Sequence, residues 1–83
     1  MTMHEQIRDV LARHGKLTRG IDEFVDGESL YSAGLTSHAC VNVMLALEDE
    51  FDIEFPERML KRSTFDSIGN LAAALGDLLE PVG

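Results

Sequence analysis

The chain has 83 residues, of which 45% are hydrophobic and 27% are charged, and its net charge is −8. This length gives one small core, so we expect residues 1–83 to form a single domain, and a two-domain enzyme or a disordered tail is excluded. The acidic excess repels phosphate backbones and anionic lipids, so neither nucleic acid nor a membrane is an expected partner.

The first predicted helix begins near the N-terminus and ends at Gly15. Thr2 and Glu5 have the spacing of an N-terminal capping box. The apolar side of this helix consists of Met3, Ile7, Val10, Leu11 and His14.

A long connection from Lys16 to Thr36 follows the first helix. About twenty residues without regular structure are unusual in a compact domain, so we expect its apolar side chains to pack against the helices, with a short helical turn among them. These side chains are Leu17, Ile21, Phe24, Val25, Leu30, Tyr31 and Leu35.

Residues 36–51 form the clearest predicted helix because they contain neither glycine nor proline. The stripe expected to face the core consists of Cys40, Val43, Met44, Leu47 and Phe51. The opposite side, expected to face solvent, consists of Ser37, Val41, Leu45, Glu48 and Asp49. Two apolar residues rimmed by acids therefore remain exposed on this helix.

A short helix is predicted at residues 56–62, because proline favours the first turn of a helix. The last helix is predicted at residues 66–79, with Asp66 or Ser67 as its cap and with Gly76 as a possible early end. Its apolar face consists of Ile68, Leu71, Ala72, Leu75, Leu78 and Leu79.

These elements predict an all-α fold, a four-helix bundle of three longer helices and one short helix with a long first loop. Phe51–Phe55 alternates like a strand and has Ile21–Val25 as a conceivable partner, but neither segment has hairpin turn chemistry. The α+β alternative therefore ranks second.

Charge is distributed unevenly along the chain. Residues 20–57 contain ten acids and neither lysine nor arginine. This segment suits a basic protein surface, although an acidic face that serves only solubility explains the charge equally well.

The single cysteine, Cys40, cannot form a disulfide within the chain and is interpreted as a core residue. We expect a reducing compartment, the cytoplasm, since the sequence has no signal peptide and no apolar run of the roughly 18–20 residues that cross a bilayer.

The sequence offers little for catalysis or metal binding. Ser37 and His38 are neighbours on a helix and point about 100° apart, which prevents a hydrogen-bonded pair. His4 and His14 lie too far apart on one helix to share a zinc ion. We therefore expect no enzymatic activity and no metal site, with a small serine hydrolase as a remote alternative.

The most specific pattern runs from Tyr31 to Pro56. Gly34-Leu35-Thr36-Ser37-His38 leads into an apolar helix, an acidic run and a proline. This pattern resembles the acyl carrier proteins and peptidyl carrier domains, in which a glycine-bearing loop precedes a serine at the start of the second helix. The resemblance implies an acyl-carrier-protein-like bundle in which Ser37 carries 4′-phosphopantetheine, transferred from coenzyme A by a phosphopantetheinyl transferase.

The physics of a helix start agrees with this role for Ser37. A serine in the first turn is exposed, and the unsatisfied N–H groups and the helix dipole favour an attached phosphate. Without the surrounding pattern, Thr36 or Ser37 would be interpreted as an N-cap worth about 1 kcal/mol. Within the carrier reading, the residues expected to dock partner enzymes are Thr36, His38, Val41, Leu45, Glu48 and Asp49.

The sequence departs from the family's usual Asp-Ser-Leu by having Thr36 before the serine and His38 after it. The variant Gly-Leu-Thr-Ser-His-Ala is similar to the freestanding bacterial aminoacyl carrier proteins. That resemblance implies an amino acid held as a thioester, loaded by an ATP-dependent amino acid:carrier-protein ligase related to a seryl-tRNA synthetase core. A downstream enzyme would accept the amino acid from the carrier, which we expect to be a monomer.

Two alternatives to this function are open from the sequence. One is an acyl carrier for fatty-acid or polyketide-type synthesis. The other is an unmodified module that binds a basic partner through its acidic face.

Overall fold

The computed structural model describes residues 2–79, which contain three α-helices and four short 3₁₀ turns. Helix α1 spans Met3–His14, α2 spans Ser37–Phe51 and α3 spans Ile68–Leu79. No strand occurs within residues 2–79, so the α+β alternative is wrong. The prediction of an all-α bundle with three longer helices and a long first connection is confirmed.

Helix α1 begins and ends where its sequence signals predict. The Thr2 hydroxyl accepts a hydrogen bond from the Glu5 N–H at 3.2 Å, and the Gly15 N–H donates to the Leu11 carbonyl at 2.8 Å. The left-handed residue that turns the chain away is Lys16, with φ of 51°, rather than the glycine. His14 lies exposed at the end of the helix.

The long connection packs on the helices through 3₁₀ turns at Ile21–Glu23 and Tyr31–Ala33. Its buried apolar side chains are Phe24, Leu30, Ala33 and Leu35. Val25 was expected to pack but is 67% exposed. The neighbouring Asp26 turns towards the bundle, where its carbonyl accepts from the Gly69 N–H, and this orientation leaves Val25 pointing outward.

Helix α2 buries a stripe that is rotated slightly from the predicted one. Val43 and Leu47 are buried as expected, and Ala39 joins them one turn earlier. The other predicted core residues are only half-buried and are Cys40, Met44 and Phe51. The helix ends at Phe51, and the next residue, Asp52, has a left-handed backbone with φ of 53°.

The short helix predicted at residues 56–62 is instead a pair of 3₁₀ turns, Glu57–Met59 and Arg62–Phe65. Pro56 precedes the first turn as predicted, but Leu60 leaves the helical region with ψ of 66° and interrupts the segment. This arrangement lets Met59 and Phe65 both point inward, where the Phe65 ring lies 5.4 Å from that of Phe55.

Helix α3 begins at Ile68, because the Ser67 hydroxyl accepts a hydrogen bond from the Asn70 N–H at 3.0 Å. Ser67 is therefore the cap, and Asp66 is not. Gly76 does not end the helix, which continues to Leu79. The core-facing residues with no solvent exposure are Ile68, Leu71 and Leu75.

Helix α1 packs against both α2 and α3, and the buried side chains of all three helices form one apolar cluster. Among the helices that the structure describes, none has the length and apolar character needed to cross a bilayer. The N-terminal end of α2 is left at the surface by this packing, since its first residues, Ser37 and His38, are exposed.

Candidate functional site

Ser37 is the first residue of α2 and is exposed. Thr36 is the N-cap, and its hydroxyl accepts a hydrogen bond from the Ala39 N–H at 3.0 Å. The Thr36 carbonyl accepts from the Cys40 N–H at 2.8 Å. Thr36 therefore fixes the helix start, and the Ser37 hydroxyl is not used as the cap.

The Thr36 hydroxyl satisfies one of the four N–H groups that every helix start leaves without an intrahelical acceptor, that of Ala39, and the Cys40 bond is the first one within the helix. The N–H groups of Ser37 and His38 remain for an external acceptor. The partial positive charge of the helix start lies at the same place. An anionic group esterified to the Ser37 oxygen would meet both donors.

Gly34 turns the chain into α2 and has a backbone that favours glycine, with φ of 103°. A Cβ atom at this position would lie 3.0 Å from the Thr18 Cγ2 atom. The adjoining segment is held by the Thr18 N–H and hydroxyl, which both donate to the Ala33 carbonyl at 2.9 Å. The glycine loop thus places Ser37 at the surface through a fixed turn.

An open groove of about 440 Å³ adjoins Ser37. Its lining residues are Tyr31, Ser37, Cys40, Val41, Met44, Leu60, Lys61, Arg62 and Phe65. Most of these side chains are apolar, and the two cations come from the segment between α2 and α3. The groove therefore offers Ser37 a mostly apolar surface that also carries positive charge.

One wall of the groove is an ordered set of contacts around Tyr31. Its hydroxyl lies 3.4 Å from the Cys40 sulfur, and the Arg62 guanidinium carbon lies 4.1 Å from the centre of its ring. Burial, and secondly the hydrogen bond with Cys40, raise the pKa of Tyr31 to about 12. Cys40 packs against the core as predicted, but it also forms part of this groove wall.

The exposed apolar residues predicted on α2 are observed there, since Val41 is 50% exposed and Leu45 is 53% exposed. Leu60 is also 50% exposed and lines the groove together with Val41. Sequence reasoning missed Leu60 because it assigned the residue to a regular helix. The available signal for Lys61 and Arg62 was the cluster of three cations, Arg58, Lys61 and Arg62, that follows the acid-rich segment.

The two acids predicted to dock partners have different environments. Asp49 is exposed. Glu48 is half-buried, and its Oε2 atom accepts a hydrogen bond from the Phe55 N–H at 2.9 Å. One oxygen of Glu48 therefore holds the chain after α2 in place.

The structure brings Ser37 and Val41 together at the groove, with Thr36 and His38 exposed beside the serine. The remaining predicted docking residues lie further along α2 and are Leu45, Glu48 and Asp49. Within residues 2–79, no group of three or more His, Cys, Asp or Glu side chains is placed to hold a metal ion.

These features define a class of protein: a small helical bundle that presents a serine at a capped helix start, beside an apolar groove. The sequence matches the family described as "Phosphopantetheine attachment site" over residues 5–75. The chain belongs to this family, whose members carry a covalently attached 4′-phosphopantetheine. The resemblance noted from Tyr31 to Pro56 is thereby confirmed.

The relatives place the chain more closely among carrier proteins. An aminoacyl carrier protein of Agrobacterium fabrum (strain C58) is 47% identical over 66 residues, which cover 80% of each chain. A similar chain is found in a crystal structure of an engineered Bradyrhizobium japonicum glycine:[carrier protein] ligase with a carrier protein from Agrobacterium tumefaciens and ATP. The two chains are 40% identical, and their TM-score is 0.90 over 93% of this chain and 100% of that chain.

A second structure, of the Bradyrhizobium japonicum ligase with glycylated carrier protein, contains a chain that is 27% identical. Its TM-score is 0.74, over 86% of this chain and 95% of that chain. The predicted carrier-protein fold is confirmed by both structures.

The residues present fit the prosthetic group of the family. The exposed serine oxygen offers an attachment point, two backbone N–H groups offer donors to a phosphate, and the groove offers apolar contacts to a flexible chain. Lys61 and Arg62 add positive charge that favours a phosphodiester nearby.

Proposed function

We propose that residues 1–83 act as one carrier domain, that Ser37 is the attachment residue, and that the cargo is an amino acid. The observation that carries the proposal is the exposed Ser37 hydroxyl, which is left unused by the cap on Thr36 and lies at the groove. The prosthetic group supplies the thiol that forms the thioester. The protein supplies a rigid support and a recognisable surface, and it is not itself an enzyme.

An amino acid cargo is supported by the relatives. The Agrobacterium fabrum protein is an aminoacyl carrier, and a carrier protein is glycylated in its complex with the Bradyrhizobium japonicum ligase. We propose that an ATP-dependent amino acid:carrier-protein ligase loads this chain and that a downstream enzyme accepts the amino acid. Glycine is the first amino acid to test.

The packing below the groove favours a short cargo over a long acyl chain. Phe65 lines the groove, and its ring lies 5.4 Å from the ring of Phe55, with both side chains buried. Inserting a long chain between the helices would require these rings to move, at the cost of packing contacts. A small aminoacyl group outside the bundle requires no such change.

We propose that partners dock on the exposed side of α2 and around Ser37. Val41 and Leu45 supply apolar contact area, and Asp49 supplies a charge that attracts basic surfaces. The other contact residues are Thr36, His38 and the free oxygen of Glu48. Such contacts are modest and reversible, which suits a monomeric carrier in the cytoplasm, where coenzyme A and ATP are available.

The attachment step is tested by intact mass after incubation with coenzyme A and a broad-specificity phosphopantetheinyl transferase. The wild-type chain should gain one phosphopantetheinyl group, and Ser37→Ala should gain none. Ser32→Ala is the matched control, because Ser32 is an exposed serine on the preceding 3₁₀ turn. This variant should gain the same mass as the wild type. A wild-type chain left unmodified by several transferases would refute the proposal.

The cargo is tested by adding an amino acid:carrier-protein ligase, ATP and single amino acids to the modified chain. We expect one aminoacyl mass increment that hydroxylamine removes, and no increment on the unmodified chain. Loading by acyl-transferring enzymes alone, with no amino acid accepted from any ligase tested, would support the acyl-carrier alternative instead.

The docking surface is tested by Val41→Asp and Leu45→Asp, with Val25→Asp as the control. All three residues are at least half exposed, but Val25 lies in the first connection and not on α2. Truncation of interface anchors commonly changes affinity by about tenfold or more. We expect the ligase KM for the carrier to rise about tenfold in the α2 variants and to stay unchanged in Val25→Asp. Equal effects at all three positions would contradict the proposed surface.

A further inference from the structure

Two cations at the groove, Lys61 and Arg62, form no ion pair with any acid of residues 2–79. Within residues 2–79, neither Lys61 nor Arg62 has a carboxylate oxygen within 4.0 Å. Asp66 lies four positions after Arg62, but its carboxylate accepts a hydrogen bond from the Ser29 hydroxyl at 2.7 Å. By contrast, a carboxylate lies within that distance of Arg8, Arg13 and Arg19.

Arg62 is held in a defined position by the groove wall. Its guanidinium stacks on the Tyr31 ring at 4.1 Å, and the Tyr31 hydroxyl is in turn held by the Cys40 sulfur at 3.4 Å. Stacking uses the face of the guanidinium and leaves its N–H groups, which lie in the plane, available to an acceptor. The side chain is thus arranged in advance to donate hydrogen bonds to an anion.

The local charge contrasts with the rest of the molecule. The protein has a net charge of −8, yet the groove contains Lys61 and Arg62, and none of its lining residues within the described part of the chain is an acid. An anion bound in the groove would neutralise this cluster and would gain charge-assisted hydrogen bonds. If Ser37 carries a phosphodiester, its negative charge is fixed at the same groove.

We propose that Lys61 and Arg62 bind the phosphodiester on Ser37 and hold the unloaded arm along the groove, against Val41 and Leu60. This inference rests on the proposed function. The arm would leave the groove when a partner docks, because the partner covers the same exposed apolar residues. Lys61 and Arg62 would act as positioning residues for the arm.

The apolar lining of the groove discriminates between cargoes by charge. The amine of an aminoacyl thioester is protonated near neutral pH, and holding this charge against Val41 and Leu60 would cost desolvation free energy. Loading with an amino acid should therefore shift the arm out of the groove and towards an accepting enzyme. A propionyl group has nearly the same size as a glycyl group and lacks the charge, so it should not have this effect.

The test compares backbone amide NMR spectra of the apo and phosphopantetheinylated chains. In the wild type, we expect modification to shift amides of Ser37–Cys40 and also those of residues 60–65. The double variant Lys61→Gln/Arg62→Gln should keep the first set of shifts and lose the second. Arg58→Gln is the matched control, because Arg58 is an exposed cation of the same connection that does not line the groove.

Three further outcomes decide the inference. Salt at about 0.5 M should reduce the shifts of residues 60–65, because screening weakens partly exposed ion pairs. The glycyl form should lose these shifts, and the propionyl form should keep them. The apo spectra show independently whether each variant is folded.

Unchanged shifts at residues 60–65 in the double variant would overturn the inference, as would equal effects of Arg58→Gln. If the double variant lost only ligase affinity, the cations would serve the partner rather than the arm, and the inference would be wrong. Failure of Ser37 to accept the prosthetic group would instead refute the proposed function, so the two failures are distinguishable.

Discussion

The half-buried Glu48 gives the sharpest test of how the end of α2 is supported. Its Oε2 atom accepts a hydrogen bond from the Phe55 N–H at 2.9 Å, while its carbonyl accepts from the Ile53 N–H at 3.0 Å. The side chain thus holds the extended segment after α2, which leads into Lys61 and Arg62. We expect Glu48→Ala to destabilise the fold, whereas Asp49→Ala, one position later and exposed, should not.

The expected loss of stability in Glu48→Ala follows from the hydrogen bond between Glu48 and the Phe55 N–H. A hydrogen bond to a charged group contributes about 1.5–3 kcal/mol, and its loss leaves the Phe55 N–H without its acceptor. Repulsion between the carboxylate and the C-terminal end of α2 offsets about 0.3–1 kcal/mol of this. We therefore expect Glu48→Ala to lower the free energy of unfolding by about 1–2 kcal/mol, which corresponds to a Tm lower by about 5–15 °C in a domain of this size.

Denaturant titration followed by far-ultraviolet circular dichroism measures this difference. Glu48→Gln retains an acceptor oxygen without the charge, so it should stay within about 0.5 kcal/mol of the wild type, as should the surface control Asp49→Ala. Equal stabilities of Glu48→Ala and Asp49→Ala would refute a supporting role for this hydrogen bond.

Three other perturbations test the site. Thr36→Ala removes the N-cap of α2 and should lower the free energy of unfolding by about 0.5–2 kcal/mol, whereas Thr36→Ser should retain most of the wild-type stability. Equal stabilities of the two variants in a denaturant titration would contradict this role of Thr36. Gly34→Ala, with φ of 103° and a close Thr18 neighbour, should cost at least about 1 kcal/mol, while Gly27→Ala, with open space around it, should cost less than half of that. Tyr31 is the single tyrosine, so ultraviolet absorbance should report its pKa at about 12, and Cys40→Ala should lower this pKa. A titration midpoint near 10.0 in the wild type would contradict the effect of burial and of Cys40. Because the folded-state pKa is the higher one, the stabilising contribution of Tyr31 is complete below pH 10.0 and is lost as the pH rises to about 12.

The helices and their starts were predictable from the sequence because local chemistry determines them. Thr2 and Thr36 cap α1 and α2 through their own side chains, and the apolar spacing gives the helical face directly. The position of Ser37 follows from the same local signals, together with the family pattern around it.

The structure of the segment between α2 and α3 was not predictable from local sequence signals. Its 3₁₀ turns depend on burying Met59 and Phe65 simultaneously, which is a tertiary requirement that overrides local propensity. The exposure of Val25 also depends on tertiary contacts, because the neighbouring Asp26 bonds to distant elements. The half-buried position of Glu48 likewise depends on Phe55, which lies seven residues away.

The groove cations show how a site is assembled from distant parts of the chain. Tyr31 comes from the first connection, Cys40 from α2 and Arg62 from the second connection, yet they form one continuous set of contacts. Sequence spacing carries no information about such a set. Its functional meaning is visible only when the groove and Ser37 are seen together.

The central claim is that one hydroxyl of the chain carries the prosthetic group. Fragment mass spectrometry of the chain after treatment with coenzyme A and a phosphopantetheinyl transferase tests it most directly. The account predicts that the added mass lies on Ser37. Added mass on any other residue, including the nearby Ser32, would contradict it.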